Sequence, residues 1–72
     1  MFTSPAEHYA RNIRDAQDFN ASPAWIGAPD GPREPGVVLR SGKGIRAVMP
    51  IPDALRLANQ IADAIAAHKA KP

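Results

Sequence analysis

The sequence predicts an α+β fold in the order helix, linker, β-hairpin, helix (α-β-β-α). Three observations predict it. Apolar residues recur at three- and four-residue spacing near the start of the chain and again from Leu57 to His68, the pattern of two amphipathic helices. Val37–Met49 alternates around Gly42-Lys43-Gly44, the pattern of a hairpin. Between the first helix and the hairpin, residues 20–36 hold four of the eight prolines and three of the five glycines, a density that argues against regular structure. Three segments follow: an amphipathic helix in 1–19, a Pro/Gly-rich linker or arm in 20–36, and a hairpin-helix core unit in 37–72.

The first helix is expected over residues 5–18. Ser4-Pro5-Ala6-Glu7 reads as a capping box with proline at the first helical position. Ala6, Tyr9, Ala10, Ile13 and Ala16 form one apolar stripe, thin enough that the helix needs packing to persist. His8, Asn12 and Asp15 share a face, but a surface helix offers neither the pocket nor the tuned acidity that proton transfer needs, so they read as a solvated face.

The linker carries the only tryptophan, in Trp25-Ile26-Gly27. Trp25 either folds back on a small core, anchors a partner together with Ile26, or lies in a disordered arm. The partner reading makes Trp25 and Ile26 candidate binding residues, because exposed tryptophans serve as interface hot spots.

Hydrophobic patterning sets the expected hairpin register. A three-residue loop at Gly42-Lys43-Gly44 pairs Val37 with Met49, Val38 with Val48, Leu39 with Ala47, Arg40 with Arg46 and Ser41 with Ile45. One face is then wholly apolar. It also sets Arg40 opposite Arg46 with Lys43 nearby, and like charges across strands are costly unless they splay into water or meet an anion. That anion could belong to another subunit, to a partner protein or to nucleic acid, so Arg40, Lys43 and Arg46 are the candidate anion or nucleic-acid residues. A net charge of +2 gives nucleic acid little support. Ser41-Gly42-Lys43-Gly44 lacks the spacing of a phosphate loop.

The second helix is expected from Pro52 to Lys69, with Asp53 at its positive end, and Lys69 and Lys71 at its negative end. Its apolar stripe is wider than one hairpin face can cover. Ala58, Ile61, Ala62 and Ile65 are therefore the candidate dimer interface. A homodimer is expected, with paired hairpins forming a four-stranded sheet and the second helices packing across a two-fold axis.

Composition narrows the classes of function. A chain of 72 residues is at most one small domain, and chains this short commonly need a bridge, a metal or self-association. With no cysteine and two distant histidines, neither disulfides nor a structural zinc site is expected, and no cofactor is predicted. The start of the chain has no signal-peptide pattern and the alanine-rich helix is broken by Arg56, Asn59, Gln60 and Asp63, so a cytoplasmic protein with no membrane association is expected.

In SPAEHYA and in AVMPIPDALRLANQIADAI the chain resembles small proteins of high-GC actinobacteria and their bacteriophages. About half of the chain carries the resemblance. It implies a small accessory protein, a phage product acting on a host protein being one form of it. It implies no activity and supplies no site residues. The reading is a non-enzymatic interaction module that self-associates and binds a protein partner. Its alternative is a small nucleic-acid-binding protein using the basic hairpin.

Overall fold

The computed structural model describes residues 2–69. The order is a 3-10 turn (Ala6–His8), α1 (Tyr9–Asp18), β1 (Asn20–Ala28), β2 (Gly31–Ser41), β3 (Gly44–Pro50) and α2 (Ile51–Lys69). The three strands form one antiparallel sheet in the order β1-β2-β3. The α+β class holds, but the expected hairpin is two thirds of a three-stranded sheet. Lys71 lies outside the described residues.

The largest correction concerns residues 20–36. They form β1 and the first half of β2 and are not a linker. From Asn20↔Arg40 to Ile26↔Glu34 the two strands stay in continuous register, then shift by one residue, with Pro32-Arg33 opposite Gly27, and close at Ala28↔Gly31 around Pro29-Asp30. The prolines survive because of where they fall: Pro29 lies in the turn, Pro32 lies at a register shift, and Pro23 and Pro35 share a parity. Pro23 pairs with Val37 and Pro35 with Trp25, the same class of position two residues apart. In an antiparallel ladder alternate pairs exchange no hydrogen bonds, and a proline there gives up no β1–β2 bond. If Pro23↔Val37 is such a pair, the missing donor of Pro23 falls on the outer edge of β1. That of Pro35 falls on the side where β3 no longer reaches, since β3 ends with Pro50 opposite Gly36.

The β2–β3 register agrees with expectation at Val37↔Met49, Val38↔Val48 and Leu39↔Ala47, then departs. Arg40 pairs with Ile45 and Ser41 with Gly44, so the loop is the two residues Gly42-Lys43 and Arg46 is the extra residue of a β-bulge. The bulge reconciles a tight turn with an apolar face, and it removes Arg46 from its expected place opposite Arg40. Gly44 has φ +119°, a conformation that favours glycine.

The only buried apolar side chain among the described residues is Val38, 4% exposed, set between Ser22 of β1 and Val48 of β3. Gly36, also buried, leaves room for its neighbours. A Cβ there would lie 2.6 Å from the Met49 carbonyl oxygen and 2.7 Å from Ile26 Cδ1.

The helices are held more loosely. The capping box does not form. Pro5 occupies the cap position, the first turn is 3-10, and the Ser4 hydroxyl accepts a 2.6 Å hydrogen bond from the Asn12 side-chain amide. α1 ends where Phe19 turns to an extended conformation while its amide still donates to the Asp15 carbonyl. α2 spans its expected length, with Asp53 in the first turn and His68 and Lys69 in the last. Neither α1 nor α2 contains a buried residue. The molecule measures 50 × 29 × 16 Å with a radius of gyration of 15.7 Å; a compact chain of this length would have about 11 Å.

Candidate interaction surface

Strand alternation divides the sheet into two faces. Ala21, Pro23 and Trp25 of β1 share a face with Pro35, Val37 and Leu39 of β2 and with Ala47 and Met49 of β3. This face is apolar from Leu39 to Pro35 and carries Arg33 at its Trp25 end. At one end, Ala21, Val37, Leu39 and Met49 meet the start of α2 across an open groove of about 440 Å³. Its other wall is Ile51, Ala54, Leu55, Leu57, Ala58 and Ile61. Only Ala54 and Leu57 of α2 are half-buried, and from Ala58 onward the helix is exposed. The helix thus forms the wall of a groove and leaves the groove open.

At the other end of the same face lies Trp25, 64% exposed, with the Arg33 guanidinium carbon 5.6 Å from its ring centroid, a cation–π distance. Trp25 and Ile26, singled out together from the sequence, point to opposite faces of β1. Ile26 is half-buried over Gly36, and Trp25 remains on the open side.

The four residues expected at a dimer interface are all exposed in the single chain, Ile61 at 56% and Ile65 at 54%. Ala58 and Ile61 line the groove, whereas Ala62 and Ile65 lie beyond it.

The basic residues do not form one patch. Lys43 and Arg46 line a small polar cavity of about 80 Å³ together with Ser41, Phe19, Asp15 and Asp18, and Arg40 is not among its walls. The Ser41 hydroxyl accepts from the Lys43 backbone amide at 3.3 Å and from Arg46 Nε at 3.1 Å, which ties Arg46 to its own turn. Two carboxylates of α1 therefore face two cations of the hairpin tip. No ion pair within 4 Å joins them; the closest opposite charges among the described residues are Arg56 and Asp53, at 3.7 Å. Sequence reading missed Asp15 and Asp18 because nothing in their spacing ties the end of α1 to a turn more than twenty residues later. It missed Ala21, Pro23 and Pro35 because their segment was taken as irregular.

Among the described residues, no group of three or more histidine, cysteine or acidic side chains is placed to hold a metal ion, and no helix is long and apolar enough to cross a membrane. Comparison with protein-family models, curated proteins and solved structures returns no match.

Proposed function

We propose that this chain is a non-enzymatic protein-interaction module whose first partner is a second copy of itself. The observation that carries the reading is the apolar groove between the sheet and α2, continuous with a sheet face that ends at Trp25. The surface arithmetic supports it. The chain exposes 6143 Å², whereas a compact monomer of its mass exposes about 4,300 Å². The excess, about 1,800 Å², lies within the roughly 1,000–2,500 Å² that each chain contributes to an obligate dimer. One buried apolar side chain among the described residues is too small a core for a chain with no cysteine, so folding and association are coupled in this reading. A cytoplasmic location belongs to the proposal and rests on the cysteine-free composition.

The nucleic-acid alternative is weaker. Lys43 and Arg46 share their cavity with Asp15 and Asp18, which offset their charge locally, and Arg40 stands apart. If it were right, binding to duplex DNA would fall steeply with salt and Arg40→Ala would reduce the slope by about one.

The test of the main reading is the mass in solution, by light scattering from micromolar to high micromolar concentration, together with the melting temperature over the same range. A dimer mass and a melting temperature that rises by about 4–5 °C per tenfold in concentration are expected. A monomer mass with a concentration-independent melt would reject it.

A further inference from the structure

The groove and α2 are complementary to each other, and this specifies how two copies meet. We infer that the second half of α2 from one copy lies along the sheet face of the other, reciprocally about a two-fold axis, and covers Trp25. The inference rests on the self-association reading above and adds its geometry.

The first argument is that edge pairing is blocked. β1 and β3 are the free edges of the sheet. Pro23 removes a donor from β1. The Arg46 bulge and Pro50 interrupt β3. These are the devices by which natural sheets discourage edge-to-edge association. The four-stranded sheet expected from the sequence thus gives way to packing through the face.

The second argument is a match of length and chemistry. The half-open strip of sheet from Leu39 to Pro35, the partner of Trp25, is roughly 13 Å long at strand spacing. The exposed stripe from Ala58 to Ile65 is roughly 10 Å long at helical spacing. Both are apolar, and the alanines at 58 and 62 allow close approach to a flat sheet. The third argument is self-complementarity. A two-fold interface uses one patch on both subunits, so the patch must hold both the projection and the recess. Here the groove and the projecting helix are contiguous, because Ala58 and Ile61 belong to both.

The chain has no cysteine, so introduced thiols report contacts without background. Trp25→Cys and Ile65→Cys are prepared separately, each is checked for dimer mass, and the two are mixed and treated with a short bismaleimide. The expected result is a cross-linked dimer that joins one variant to the other and exceeds what either forms alone. In the unmodified chain the fluorescence of Trp25, the sole tryptophan, should shift to the red on dilution through the dissociation range, and Ile65→Asp should give the red-shifted emission at all concentrations. A dimer mass with cross-linking of Trp25→Cys to itself would overturn the inference in favour of apposed β1 strands. A dimer mass with no cross-link and an emission that ignores dilution would overturn it too. Both outcomes leave self-association standing. A monomer mass at every concentration would reject both.

Discussion

β2 and α2 end in opposite states, and the less apolar of the two is the one that is buried. β2 contains the buried residues Gly36 and Val38, whereas α2, nearly twice as long, contains none. The strand is buried because it has a neighbour on either side, β1 and β3, that a short chain can supply from adjacent sequence. The helix needs no neighbour in order to form. Pro52 and Asp53 start it and alanine sustains it. Beyond Ala54 and Leu57, which are half-buried against the sheet, its apolar stripe remains exposed. Secondary structure set by local signals and burial set by neighbours are separable in this molecule, and the surface left between them is the candidate interface.

The comparison is broken most strongly at α2. Ile61→Asp with Ile65→Asp removes two exposed side chains that cost the single chain little, but each isoleucine covered in an assembly is worth about 1.5–3 kcal/mol. The double variant should have half the mass of the parent by light scattering, and its melt should be independent of concentration. An unchanged dimer would mean that α2 faces solvent in the assembly as well.

The sheet is broken by Gly36→Val. The added Cβ would collide with the Met49 carbonyl and with Ile26, and no rotamer change relieves a clash with backbone. A loss of about 3 kcal/mol is expected, comparable to the whole stability of so small a domain, with the sheet signal in circular dichroism lost at room temperature. Gly27→Ala is the matched control in the same pair of strands. Nothing lies within 4 Å of its added Cβ, and it should be neutral within about 0.5 kcal/mol.

These two sites also mark how much was legible beforehand. α2, its bounds and the pairing of Val37 with Met49 through Leu39 with Ala47 followed from helical period and from an alternating face. The strand β1 did not, because proline was counted by density when its parity decides whether a ladder tolerates it. The available signal was Ala28-Pro29-Asp30-Gly31, a turn sequence of the form Pro-Asp-Gly flanked by segments long enough to pair. The turn alone would set Trp25 opposite Glu34; a one-residue register shift between Ile26 and Ala28 sets it opposite Pro35 and so on the face of Val37 and Leu39, and that shift is not visible in the sequence. The bulge at Arg46 was harder to see. The choice was between a three-residue loop and a mixed face, and the chain resolves it with one extra residue, which sequence alternation does not reveal. Of the four residues expected at a dimer interface, Ala58 and Ile61 line the groove, and the contribution of β1 to that groove was not expected.

A smaller effect tests the outer end of the open face. Arg33→Ala removes the cation over Trp25, an exposed contact worth about 0.5–1 kcal/mol. Its melting temperature at low concentration should fall by a few degrees at most. If the partner helix covers Trp25, the loss should be larger in the dimer than in the Ile61→Asp, Ile65→Asp monomer background, because the pair is then shielded from water.

The smallest effect asks whether α1 belongs with the rigid sheet or with the exposed helix. Gly42 and Gly44 flank Lys43 in the same turn, and the two glycines are there for different reasons. At Gly44 the φ of +119° opposes any side chain, so Gly44→Ala should cost about 1–3 kcal/mol. At Gly42 the backbone presents no such barrier, and the obstacle is the Asp18 carboxylate, whose Oδ2 would lie 2.5 Å from an added Cβ. Asp18 is exposed at the end of α1 and can rotate away. A displaced rotamer costs about 0.5–1.5 kcal/mol, and alanine recovers about 0.4–1 kcal/mol by restricting the unfolded chain. The two nearly cancel, so Gly42→Ala should change stability by no more than about 0.5 kcal/mol in a denaturant titration. Should Gly42→Ala instead cost as much as Gly44→Ala, Asp18 is held in place by its neighbours at the hairpin tip. The end of α1 would then be clamped to the β2–β3 turn, and the division between a paired sheet and unpartnered helices would apply to α2 alone.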